Sequence, residues 1–191
     1  SAMDGMDLAQ IKIGDNVLLQ GCGAIGSINL NMLLLKGGCN VTVSDPVPEK
    51  RELALKLGAQ YVIDPTKEDI VKRGMEITNG RGYDILYDVA GVPKAAPAML
   101  DLLAYGGTVV YFAVFPMDYY LPVNLYDLYS KEGRIQTVFT NFYNYPRVID
   151  LIPRMQLETI VTREMKLSDG VEIFNAFLES KNNKIVVDCS K

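Results

Sequence analysis

Apolar positions along this chain follow two alternating rhythms. Short runs rich in valine, leucine and isoleucine occur at residues 16–20 (NVLLQ), 40–44 (NVTVS), 61–63 (YVI), 83–90 (YDILYDVA) and 107–114 (GTVVYFAV). Between them lie longer stretches, 24–37, 49–59, 67–79 and 94–104, in which apolar residues recur at helical spacing. This alternation predicts strands joined by crossover helices, the βαβ unit of a parallel sheet. The first and fifth runs are apolar at nearly every position, as expected of strands covered on both faces. Beyond Val114 the rhythm breaks. Pro116, Pro122 and the tyrosines Tyr119, Tyr120 and Tyr126 predict a loop with a short edge strand over 119–123. A sixth strand is expected over 134–139, helices over 147–155 and 168–180, and a last strand over 184–189.

Composition narrows the class. The 191 residues are 49% hydrophobic and 22% charged, enough for a substantial core and unlike a disordered chain. The formal charge is −4 and the basic residues are scattered, so no nucleic-acid partner is expected. The longest apolar runs, 32–35 and 109–115, fall far short of the roughly 20 residues that cross a bilayer. No membrane association is expected. Cys22, Cys39 and Cys189 form no CxxC pair and the chain has no histidine, so neither a metal site nor a catalytic histidine is expected. Three reduced thiols suit the cytoplasm. Residues 1–3 read as an expression scar, and residues 4–11 are too polar for a signal peptide core.

Gly21, Gly23 and Gly26 spell GxGxxG between the first predicted strand and the first long helix. The first glycine permits the tight turn, the second lets a pyrophosphate approach the backbone, and the third lets helix and strand pack closely. Phosphates would then sit at the helix N-terminus, where free N–H groups and the helix dipole favour anions. Asp45 ends the second strand 19 residues after Gly26, where a dinucleotide fold places the carboxylate for the adenosine ribose. That carboxylate repels a 2′-phosphate and favours NAD over NADP, although Lys50 and Arg51 put positive charge nearby. Asp45 would equally suit a turn before Pro46. The competing ligand is S-adenosylmethionine, whose loop also commonly reads GCG. Leu19 and Ile25 stand where that loop normally has an acid and a glycine, which disfavours methyl transfer. The expected fold is therefore α/β, a doubly wound parallel sheet of the Rossmann type with strand order 3-2-1-4-5-6.

Four segments carry a more specific likeness: GMDLAQIKIGDNVLLQGCGAIG, VTVSDPVPEKRELALKLGAQYVID, GYDILYDVAGVPKA and LLAYGGTVVYFAV. From about residue 5 to 187 the chain resembles zinc-dependent medium-chain dehydrogenases, in the branch of sorbitol, polyol and threonine dehydrogenases. The resemblance implies an NAD-binding domain over 4–140 and a segment, 141–191, that returns to a separate catalytic domain. It implies that Gly23, Ala24, Ile25 and Gly26 hold the pyrophosphate, and that Asp45 and Lys50 bind the adenosine ribose. Ala90, Gly91 and Val92 would line the adenine side. Phe112, Ala113 and Val114 would border the nicotinamide, with Ala113 where the family usually has glycine. Val138, Phe139 and Thr140 would orient the carboxamide, and Lys184 would reach the pyrophosphate.

The family's catalytic zinc is held by cysteine, histidine and a carboxylate in a preceding GroES-like domain. This chain starts where the cofactor domain starts, so the resemblance implies zinc only in a full-length enzyme that oxidises a secondary alcohol. The present chain is expected to be catalytically silent, its strand 184–189 lacking its partners. Two alternatives stay open: a domain of an NADPH quinone reductase, against which Asp45 argues, and a non-catalytic NAD-sensing module. A homodimer through the edge between Tyr119 and Asn124 is a further expectation.

Overall fold

The computed structural model describes residues 1–37, 39–140, 143–179 and 181–190. In chain order the elements begin with helix α1 (Ala2–Leu8), strand β1 (Asn16–Gln20), helix α2 (Ala24–Lys36), strand β2 (Asn40–Ser44), helix α3 (Pro48–Leu57) and strand β3 (Tyr61–Ile63). There follow α4 (Ile70–Ile77), β4 (Tyr83–Asp88), α5 (Ala96–Asp101), β5 (Leu103–Tyr111), α6 (Leu125–Ser130) and β6 (Arg134–Thr137). The C-terminal part holds α7 (Tyr145–Leu151), β7 (Val161–Lys166), α8 (Val171–Leu178) and β8 (Lys184–Asp188).

Strands β1 to β6 form one sheet in the order β3-β2-β1-β4-β5-β6, every pair parallel. This is the doubly wound sheet that the apolar runs predict. Alternate residues bury on opposite faces. Val17 and Leu19 join a core with Leu30 and Leu33 of α2, whereas Leu18 joins a second core with Met99 of α5 and Leu102. Both faces are thus covered there, which is why Val17–Leu19 of β1 and Val109–Tyr111 of β5 carry no polar alternation. Helix α1 lies against α2 and sends Met3 and Met6 into the first core, so Ala2 and Met3, two of the three residues read as a scar, are packed. Among the described residues no helix is long and apolar enough to cross a membrane.

Several expectations need correction. Residues 119–123 form no strand: Pro116 and Pro122 lack the amide donors a ladder needs, and the segment curls inward instead. Tyr119 stacks on Phe115 with ring centroids 5.4 Å apart and donates its hydroxyl to the Pro93 carbonyl at 3.0 Å. The outermost strand on that side is β6. The fifth strand starts earlier than expected, because Leu103 pairs with Tyr83 ahead of a register shift. The last strand has a partner after all: β8 pairs in parallel with β7, in a separate two-stranded sheet. The expected domain boundary after Thr140, and the end of the helix expected over 168–180, fall on residues outside those described.

Candidate functional site

At the carboxyl ends of β1, β2 and β4 the sheet reverses its winding, and a cleft of about 700 Å³ opens there. Such a switch point is where open α/β sheets take ligands. Gly21 and Gly23 form one wall, Asp45 and Lys50 a second, Ala90 and Val92 a third. Six of the residues singled out in the sequence therefore meet in a single cavity.

The glycine turn is built by close packing. Gly21 adopts φ +95° with its Cα beside Ala90, a conformation that L side chains rarely take. A Cβ on Gly26 would stand 2.2 Å from the Gly21 carbonyl, so any larger residue would push helix and turn apart. In front of the helix a side chain on Gly23 would meet nothing within 4 Å, which leaves the approach to α2 open. The first N–H groups of this 13-residue helix have no carbonyl four residues earlier in the helix to bond. Cys22 lies inside the turn. Burial pushes its thiol up to about 11, the nearby Asp45 carboxylate adding to this and the Ser27 hydroxyl opposing it. It is a packed thiol rather than a nucleophile.

Asp45 is buried and locally committed: Oδ2 accepts from the Cys22 amide at 2.8 Å and Oδ1 from the Val47 amide at 2.9 Å. The turn role and the cleft role coexist. Each carboxylate oxygen offers two acceptor positions, so both retain capacity toward the cleft.

Sequence reasoning missed Asp88, at the end of β4. Its Oδ1 accepts from the Ala90 amide at 2.8 Å and the Gly91 amide at 3.1 Å, and its carbonyl accepts from the Phe112 and Ala113 amides at 2.9 and 3.0 Å. One residue thereby shapes both the 90–92 turn and the start of the 112–114 segment. Burial pushes the Asp88 carboxyl above its ordinary value, against the pull of the Gly91, Ala90 and Gln20 hydrogen bonds. An acid closing the apolar stretch Ile85–Tyr87 at the end of β4 was the signal available. Gln20 and Lys94 also line the cleft without having been singled out.

The remaining candidates stand around this cavity. Ala24 and Ile25 form the first turn of α2, and Gly91 passes close to Ala113 and Val114. Phe112 packs on Tyr87, ring centroids 5.8 Å apart. Val138 packs against the core just past β6, whereas Phe139 and Thr140 are exposed and do not line the cleft. Lys184 is exposed at the start of β8; its neighbour Asn183 donates to Ser27 Oγ of α2 at 2.9 Å. Among the described residues no group of three or more His, Cys, Asp or Glu side chains could hold a metal ion. These described side chains do not fit a zinc site.

Comparison with known proteins places the family and the fold. The model of the family described as zinc-binding dehydrogenase matches residues 24–154. L-threonine 3-dehydrogenase of Pyrococcus horikoshii is 31% identical over 180 residues, covering 91% of this chain and 51% of the relative. Among solved structures, the gutB dehydrogenase of Clostridium scindens superposes with a TM-score of 0.92 at 35% identity, covering 100% of this chain and 54% of that one. A dehydrogenase of Sinorhizobium meliloti 1021, solved bound to NADP, gives 0.90 at 26% identity, covering 98% and 56%. The chain spans about half the length of the curated relatives it matches.

Proposed function

The chain belongs to the zinc-binding dehydrogenase family, and from that premise we propose that it is the NAD-binding half of an alcohol or polyol dehydrogenase. The full-length form would move hydride from a secondary alcohol to NAD. The observation that carries this reading is the cleft itself, with a glycine turn and an open helix start on one side and the Asp45 carboxylate on the other. When bound there, NAD supplies the hydride acceptor.

This chain's residues bind and orient. The N–H groups at the start of α2 offer donors and a favourable dipole end to a pyrophosphate. The lone pairs left on Asp45 suit ribose hydroxyls, with Lys50 beside them. Val92, Ala95 and Ala98 supply an apolar wall for the adenine. The Ala90–Val92 turn is held by Asp88. A secondary alcohol is supported by the likeness to a threonine 3-dehydrogenase, whose name places the reaction at such a carbon. A homodimer through the 119–124 segment, a loop rather than an edge strand, is also proposed, with Tyr120 exposed on it.

Calorimetric titration of the chain with NAD, NADP and S-adenosylmethionine tests the reading, with Asp45→Ala alongside. The expected result is NAD binding that weakens about tenfold in the variant, as loss of charge-assisted hydrogen bonds implies. S-adenosylmethionine should give no heat. Tighter binding of NADP than NAD would move the chain toward a quinone-reductase-like relative. We further propose that the 191 residues alone are silent; sustained NAD-dependent oxidation of a polyol by the purified chain would overturn that.

A further inference from the structure

Arg51 stands close to the end of β2, and its fork is already occupied. Nη1 donates to the Asp45 backbone carbonyl at 2.6 Å and Nη2 to Asp64 Oδ2 at 2.8 Å. The pair is largely shielded from solvent, with side-chain exposures of 13% for Arg51 and 9% for Asp64. Asp64 is fixed in turn: Oδ1 accepts from the Thr66 amide at 3.0 Å and the Thr66 hydroxyl at 2.6 Å, and Lys67 Nζ lies 3.6 Å from Oδ2. The Thr66 hydroxyl, then its amide and the charges of Arg51 and Lys67, hold the Asp64 carboxyl below the usual range, so it stays ionised at neutral pH. Pro46 and Pro65, the residues after Asp45 and Asp64, line the cleft. The ion pair therefore stands just behind the cavity wall.

This position decides what the arginine can do. In dinucleotide folds an arginine near the end of the second strand is the group that accommodates a 2′-phosphate, because its planar fork matches phosphate oxygens. Here the fork is spent on a carbonyl and a nearly buried carboxylate. We propose that Asp64 is a specificity-determining positioning residue: by holding Arg51 in the wall, it withholds the cation a 2′-phosphate needs and adds to the selection of NAD over NADP made by Asp45. The inference rests on the dinucleotide reading above and goes beyond it, since Asp64 itself lies outside the cavity lining.

The test is the ratio of NADP to NAD affinity, read by calorimetry. Asp64→Asn keeps an acceptor for Thr66 and removes the charge that holds Arg51. NADP should bind about tenfold tighter than in the wild type, with NAD affinity changed less than about twofold. Asp64→Glu should restore the wild-type ratio, and Arg51→Ala added to Asp64→Asn should cancel the gain. Lys50 and Lys94 are common to all variants, so the differences report on Arg51. An Asp64→Asn protein that binds NAD normally and NADP no better overturns the inference and leaves the cofactor reading intact. A wild type that binds neither dinucleotide overturns both. Should Asp64→Asn fail to fold, Arg51→Ala alone decides: unchanged NADP affinity supports the clamp, and a tenfold loss shows that Arg51 already serves the phosphate and overturns it.

Discussion

Helices α2 and α8 carry comparable shares of large apolar side chains and meet opposite fates. In α2, Leu30 and Leu33 are fully buried, between the sheet on one side and α1 with the residues around Met155 on the other. In α8, Phe174, Phe177 and Leu178 are 72%, 76% and 79% exposed, and only Ala176 is buried. Phe174 precedes the other two by three and four residues, so all three share one side of the helix. Apolar content sets what a helix can gain from burial; the neighbours decide whether it gains it. An uncovered apolar face of this kind marks a surface suited to meeting another body.

The largest expected difference between the two regions is in opening. Leu18 and Leu19 sit in a central strand paired on both sides, whereas Ile185, Val186 and Val187 belong to a two-stranded sheet, which has little stability of its own. Hydrogen exchange should show amides of 185–187 opening at least about a thousandfold more readily than those of 18–19. Equal protection would mean that the small sheet is welded to the large one. Among the described residues, hydrogen bonds that could do this run from Asn183 to Ser27 and from the Gln156 amide to Asn31 Oδ1 at 2.9 Å.

Side-chain truncation makes the same comparison in energy. Leu33→Ala opens a cavity between α2 and the sheet and should cost about 3 kcal/mol in urea unfolding. Phe177→Ala removes more atoms from a site already in water and should stay within about 0.5 kcal/mol. A cost above about 2 kcal/mol for Phe177→Ala would show that its face is covered in solution.

The same division separates what could be read from the chain and what could not. Most of the six-stranded sheet was legible because its first five strands are short runs rich in valine, leucine and isoleucine joined by local helical patterns. The cleft was legible in part, through Gly21, Gly23, Gly26 and Asp45, whose spacing is itself the geometry. Residues 119–123 misled because tyrosine and valine favour strands while Pro122 within the segment denies it the ladder. Helix α6 escaped notice because it is six residues long and rests on its Asn124 cap, which accepts from the Tyr126 amide. Strand β7, with its exposed Thr162, Arg163 and Glu164, reads as polar loop until β8 is seen beside it. The Arg51–Asp64 clamp joins residues 13 apart, one in α3 and one just after β3, a contact that no periodicity encodes.

Asp88 offers the smallest effect and the finest test of how the site region is built. Burial places its folded carboxyl above the ordinary value, so the folded state holds the proton more tightly than the unfolded chain does. For an acid shifted in this direction, stability is fully present below the unfolded value near 3.8 and declines as pH rises through the folded value. Asp88→Asn cannot titrate and should lack that decline. Its Oδ1 still accepts from the Ala90 and Gly91 amides. Its Nδ2 brings a donor to the place of Oδ2, which has no hydrogen-bond partner among the described residues, as is also true of Gln20 Oε1. Urea unfolding across a pH series should therefore show the variant gaining on the wild type as pH rises above about 4, then running parallel to it. A variant that falls steadily behind would mean that the ionised carboxylate is favoured where it stands, its two backbone donors outweighing its burial.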